Sequence, residues 1–192
     1  MTDKMTYAGT GVNYNAVDPS KLKAQMAAAT TNHFVERFGF RVVEWSRGES
    51  VFLIEMPSGY LGFVIEGLGT KNLVADKMYA LAKEMHALTG RSYYDQVAQC
   101  NVAMVVNDMI TLGSRPISFG QYLAVGDSDW FSDQTRFEDL IEGTRKACGL
   151  ARCSWGPGEM PILKDMVFPA TAELAGAALG WIPDKRQLIN PE

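Results

Sequence analysis

The sequence has few of the residues that build metal and redox centres. It contains three cysteines and two histidines among 192 residues. Cys100, Cys148 and Cys153 lack the C-x-x-C spacing of zinc and redox sites, and His33 and His86 stand apart from each other and from every cysteine. We therefore expect reduced core thiols and no cysteine–histidine metal site.

Long apolar runs and blocks of like charge are also missing. The longest apolar stretches, such as residues 51–54 and 102–106, fall far short of the roughly 20 residues that cross a bilayer. The N-terminus, MTDK, lacks the apolar segment of a secretory signal. The net charge is −4 with no basic run, which argues against a nucleic-acid partner. The sequence predicts a cytoplasmic protein without a membrane span.

The composition fits one folded domain. With 47% hydrophobic and 21% charged residues, the chain can bury roughly 70% of its unfolded surface around a single core. No repeat or flexible linker interrupts it. Strand and helix patterns alternate irregularly along the chain, which indicates an α+β or mixed α/β class.

Two strands and two helices are the clearest predicted elements. Residues 51–54 and 61–65 are β-rich runs on either side of a turn at residues 57–59, which predicts a hairpin. An amphipathic helix is expected over residues 72–88, ending at Gly90, and a second, apolar nearly all round and therefore buried, over 94–112. The other predicted elements are a polar arm to residue 17, a helix at 21–31 started by Asp18, Pro19 and Ser20, strands at 117–125, 166–168 and 172–181, a helix at 133–150 capped by Ser132, and a corner at 155–158.

The first candidate site is the corner EGLGTK at residues 66–71, between the second hairpin strand and a helix. Gly67 and Gly69 would let backbone N–H groups approach an anion, and Lys71 would add positive charge. The spacing is not that of a Walker A loop. An ordinary strand-to-helix turn explains the same residues.

The second candidate is the pair Asn107 and Asp108 in an otherwise apolar helix. An unpaired ionised carboxylate in an apolar interior costs several kcal/mol, so Asp108 should face a donor, a cation or a metal-bound phosphate. Asn101 lies two turns earlier on the same face. The alternative is a capping or ion-pairing role near the helix end.

The third candidate is the Gly/Pro-rich segment that ends at Glu159. Gly156 and Gly158 would give flexibility to a carboxylate that could bind a hard cation such as Mg²⁺. A plain surface turn explains these residues equally well. Trp155 and Trp181 are expected to be core or interface aromatics.

Taken in order, several segments resemble the phosphoribosylformylglycinamidine cyclo-ligase family, the aminoimidazole ribonucleotide (AIR) synthases. VAMVVND at residues 102–108 is similar to the family's VAMCVND helix, and EGLGTK to its DGVGTK signature. The remaining similar segments are residues 7–16, 113–116, 159–161 and 175–180.

The resemblance implies a fold and a function. The expected fold is a mixed β-sheet packed with helices, whose half-barrel pairs with a second subunit to form a homodimer. Residues 1–192 would be the ATP-binding, dimer-forming N-terminal domain, with the C-terminal domain absent. The expected reaction is ATP-dependent cyclisation of the small-molecule substrate formylglycinamidine ribonucleotide to AIR.

The same resemblance assigns roles to the candidate residues. Lys71 and Asp108 would be catalytic, and Glu66, Asp108 and Glu159 would bind Mg²⁺. The ATP-binding residues would be Gly67, Gly69, Thr70, Lys71, Asn107, Gly156 and Gly158.

The sequence also departs from the family pattern. Glu66 replaces the aspartate of the signature, and Cys100 and Gln121 occupy positions where the family has acidic residues. Fewer acidic groups imply weaker or different metal binding. Two alternatives therefore stay open: another ATP-using enzyme of the superfamily, or a non-catalytic nucleotide-binding dimerisation module.

Overall fold

The computed structural model describes residues 6, 9, 11–85 and 91–190. Residues 1–5, 7, 8 and 10 of the polar arm lie outside the described residues, as do His86 and the helix end expected at Gly90. Within the described ranges, no helix is long and apolar enough to cross a membrane.

A six-stranded mixed sheet forms the centre of the fold, in the order β1-β2-β3-β6-β4-β5. Every neighbouring pair is antiparallel except β4 and β5, which run parallel. The sheet confirms the expected fold class, and β2 and β3 form the expected hairpin. The strands are β1 (Arg41–Val42), β2 (Phe52–Glu55), β3 (Tyr60–Gly67), β4 (Arg115–Val125), β5 (Ser154–Glu159) and β6 (Ala172–Ile182).

Four helices accompany the sheet: α1 (Tyr14–Ala29), α2 (Lys71–Glu84), α3 (Tyr94–Ile110) and α4 (Gln134–Ala151). α1 begins earlier than expected because Asn13, whose side chain accepts a hydrogen bond from the Asn15 N–H at 3.1 Å, caps it. Likewise Asp133, not Ser132, caps α4 through the Arg136 N–H.

The core lies between one face of the sheet and helices α3 and α4. One apolar cluster includes Val105, Met109 and Phe119, and a second includes Tyr94 and Trp130. The prediction that α3 is buried is confirmed for the side that packs on the sheet and was wrong for the outer side. Its outer positions, among them Ala103, Asn107 and Ile110, are exposed because α2 and α4 flank α3 without covering its outer side.

Two local predictions near the C-terminus were also wrong. The corner expected at residues 155–158 is the edge strand β5, where Pro157 is tolerated because an edge strand leaves one side of its backbone unpaired. Residues 166–168 lie in turns and bends instead of a strand. Just before them, the Leu163 N–H donates to the Val125 carbonyl at the end of β4.

The end of α4 brings two cysteines together. Arg152 adopts a left-handed conformation, and the Cys153 N–H donates to the Cys148 carbonyl at 3.0 Å, as in a Schellman motif. Burial and the neighbouring Cys153 raise the pKa of Cys148 to about 12. Both thiols pack in the core, which fits a structural role.

Candidate functional site

The corner between β3 and α2 has the geometry of an anion-binding turn. Gly69 has φ +76°, which favours glycine, and no atom lies within 4 Å of the position a β-carbon would take there. The Thr70 side chain makes no capping hydrogen bond to the first turn of α2. Backbone N–H groups at the start of α2 are therefore available to an anion.

A buried hydrogen-bond network holds this corner in place. Asn72 donates through Nδ2 to the Thr171 hydroxyl at 2.8 Å and to the Ala172 carbonyl. The Thr171 hydroxyl donates in turn to Asp76 at 2.6 Å, and the Tyr94 hydroxyl donates to the other Asp76 oxygen at 2.8 Å. The network ties the first two turns of α2 to the start of β6 and to α3.

Arg136 of α4 joins the same network. Its guanidinium lies 3.6 Å from the Asp76 carboxylate and stacks over the Trp130 ring at 4.4 Å. It also donates to the Ala170 and Trp130 carbonyls. The charge of Asp76 is therefore compensated inside the protein, and Asp76 is not free to bind a metal.

Two carboxylates, Glu66 and Asp108, lie together on the helix-covered side of the sheet. Burial raises the pKa of Glu66, and the neighbouring Asp108 raises it further. A cation between them would relieve this repulsion, and Mg²⁺ is often held by one or two carboxylates together with phosphates. Among the described residues no group of three or more acidic, histidine or cysteine side chains is placed to hold a metal ion. The pair fits a Mg²⁺ bound partly by a ligand.

Lys71 lies beside a groove between α2 and α3. The groove, of about 340 Å³, is lined by Lys71, Tyr93, Gln96 and Cys100 together with apolar residues of α2 and α3. Asp108 does not line it. Cys100, which lines the groove, and Asp108 are eight residues apart, about 12 Å along α3.

Glu66, Gln121 and Gly158 lie in register across the sheet but on different strands. Glu66 pairs with Gly176, which pairs with Gln121, which pairs with Gly158. Three strand spacings place Gly158 roughly 14 Å from Glu66. Glu159, the next residue, is exposed on the edge strand, so within one chain it does not join the carboxylate pair.

Asn107 and Gln121 also lie away from the pair. Asn107 is exposed and lines a groove against Ala147 and Leu150 of α4, because consecutive helix residues point about 100° apart. Gln121 is buried and accepts a hydrogen bond from Thr144 at 3.3 Å, which ties β4 to α4.

Sequence reasoning missed the network that anchors the corner. Asn72 and Asp76 are spaced i, i+4 on one face of α2, and this spacing was the available signal. Thr171 and Arg136 carry no local signal, because they reach Asp76 only through the fold.

The architecture is shared with solved structures of other proteins. The structure described as AaThiL complexed with AMPPCP and TMP matches with a TM-score of 0.52 and 14% identity, covering 71% of this chain and 37% of that one. PurLQS from Thermotoga maritima matches with a TM-score of 0.51 and 15% identity, covering 74% and 21%. At these identities the likeness establishes the fold alone.

The family follows from sequence. Residues 64–180 match the family described as AIR synthase related protein, N-terminal domain, and the chain belongs to it. It is 30% identical over 189 residues to phosphoribosylformylglycinamidine cyclo-ligase of Methanococcoides burtonii, covering 98% of this chain and 49% of that protein. It is 29% identical to the Clostridium perfringens protein of the same name, covering 97% of this chain and 50% of that protein. The chain spans about half the length of these relatives.

Proposed function

We propose that this chain is the ATP-binding N-terminal part of an enzyme that cyclises formylglycinamidine ribonucleotide to AIR in purine biosynthesis. The observation that carries the proposal is the open corner at Gly69 and Lys71, next in sequence to the Glu66–Asp108 carboxylate pair. Membership of the family and the names of the relatives support the same reaction.

In this proposal each group has a defined task. Lys71 and the N–H groups around Gly67, Gly69 and Thr70 bind the ATP phosphates, and Glu66 with Asp108 holds Mg²⁺. Mg²⁺ held by this pair would neutralise charge on the phosphates. The formyl amide oxygen attacks the terminal phosphorus and ADP leaves; ring closure by nitrogen then expels phosphate. The chain supplies positioning and charge compensation for these steps.

The assembly we propose is a homodimer through the uncovered face of the sheet. Strands β3, β4 and β6 carry four exposed large apolar side chains: Phe63, Ile65, Ile117 and Leu179. An apolar sheet face of this kind marks an interaction surface. Gly158 and Glu159 line a cavity of about 450 Å³ together with Ile65, so pairing of two sheets would enclose them.

Calorimetry of ATP binding with Mg²⁺ tests the nucleotide site. We expect Asp108→Asn to weaken binding at least about tenfold, because it removes a charge from the cation site. Asp184→Asn is the matched control, because Asp184 lies beyond the Ile182 end of β6, whereas Glu66 pairs with Gly176 towards the other end. Equal affinities for the wild type and Asp108→Asn would contradict the assignment.

A second candidate is a nucleotide-binding module that does not catalyse cyclisation. Gln121 favours it, because its side chain is bonded to Thr144 and carries no charge for a metal. Cys100 beside Lys71 adds no hard oxygen ligand either. Full-length protein that binds ATP but makes no AIR from formylglycinamidine ribonucleotide would select this candidate over the enzyme.

A further inference from the structure

Helix α2 carries an exposed apolar stripe, two members of which, Val74 and Met78, border the groove shared with α3. Val74, Met78, Leu81 and Met85 are 64%, 48%, 52% and 74% exposed. The opposite side of the helix, with Asn72, Ala75 and Tyr79, is buried. A surface helix normally presents polar residues to solvent, whereas these exposed positions of α2 are apolar.

The stripe has the spacing of a coiled-coil seam. Its members follow one another at intervals of four, three and four residues, the a/d pattern by which two helices pack together. Lys77 and Glu84, at the flanking g positions, are both exposed. In the described part of the chain neither forms an ion pair.

We propose that α2 pairs with α2 of a second copy of this chain in antiparallel orientation. Val74 then packs against the partner's Met85, and Met78 against the partner's Leu81. The same register places Lys77 beside the partner's Glu84, and two-fold symmetry repeats the contact.

The charges select the orientation. In a parallel pair, residues of the same number lie at the same level, and Lys77 meets Ala82 of the partner across the g–e flank. Only the antiparallel pair gives both Lys77 side chains a carboxylate. Each helix packs the side that carries Asn72, Ala75 and Tyr79 on its own chain, which leaves the stripe exposed to a partner.

The interface is small. A 14-residue helix is about 21 Å long, so the pair buries less than the roughly 800 Å² per partner of a standard interface. The association is therefore weak and concentration-dependent. It does not use the surface of the sheet-face dimer, because α2 packs on α3, on the other side of the sheet. Val74 and Met78 also line the groove beside Lys71, so the pairing borders the proposed nucleotide site.

Sedimentation velocity over a concentration series tests the pairing. The chain carries Ile65→Lys throughout, to remove association through the sheet face. In this background Lys77→Glu should weaken association about tenfold, because two attractive pairs become repulsive. The double exchange Lys77→Glu with Glu84→Lys should restore the affinity to within about threefold.

Apolar variants give the second arm of the test. Leu81→Asp should abolish the association, whereas Leu22→Asp, a change at a similarly exposed leucine on α1, should leave it unchanged. If Leu81→Asp has no effect, the proposal is wrong. If Leu81→Asp acts but the double charge exchange restores nothing, the stripe binds something other than a second α2, and the pairing is equally wrong.

Discussion

Replacement of Thr171 by valine tests whether the buried network positions the phosphate corner. Valine keeps the shape of threonine but removes the hydroxyl that accepts from Asn72 and donates to Asp76. The bond to the charged Asp76 is worth about 1.5–3 kcal/mol and the bond from Asn72 about 0.5–1.5 kcal/mol. Together we expect a loss of about 3 kcal/mol, or a Tm lower by about 6–12 °C for a chain of this size.

Thr171→Ser is the matched control, since it keeps the hydroxyl and loses one methyl group, worth about 0.8 kcal/mol. Two measurements separate positioning from stability: thermal unfolding, and amide exchange of residues 70–73 well below Tm. Thr171→Val should speed exchange at the corner and weaken ATP binding, and Thr171→Ser should do neither. Lower Tm with unchanged exchange and ATP affinity would show that the network only stabilises the fold.

Three other predictions concern Glu66 and Cys148. The pKa of Glu66 is raised, so the stability that its protonated form contributes is full below the ordinary pKa and is lost as pH rises through the folded-state pKa. Glu66→Gln should therefore have a higher Tm than the wild type at pH about 8 and an equal Tm at pH about 4. The opposite order would refute the pairing with Asp108. Mg²⁺ should raise the Tm of the wild type but not of Glu66→Gln, and an equal rise in both would place the cation elsewhere. With a pKa of about 12, Cys148 is on the order of 0.01% thiolate at pH about 8, so mass spectrometry should show slow alkylation that becomes fast only in urea.

The elements that the sequence predicted well are those with strong local signals. The hairpin of β2 and β3 follows from two β-rich runs around a Gly-containing turn, and α3 follows from 17 residues without Gly or Pro. The corner at Gly69 was readable because its φ of +76° favours glycine. Local chemistry fixes each of these features, so sequence alone reveals them.

What the sequence could not show depends on contacts between distant segments. The spacing of Asn107 and Asp108 made them look like one site, but adjacent helix positions face different neighbours, and here only Asp108 meets Glu66. Glu159 was expected at the same cluster, yet register along the sheet, which pairs Tyr122 with Glu159, sets it on the far edge. Such register comes from the assembled sheet and not from any short motif.

The composition of β3 argues that the sheet is covered on both sides in the working protein. Leu61, Phe63 and Ile65 alternate with Tyr60 and Val64, so apolar side chains point to both faces. Strands with one face in water alternate apolar and polar residues, whereas strands covered on both faces are apolar throughout. Helices α3 and α4 cover only one face of β3 and its neighbours. We therefore expect a second layer over Phe63 and Ile65, which the proposed homodimer would supply.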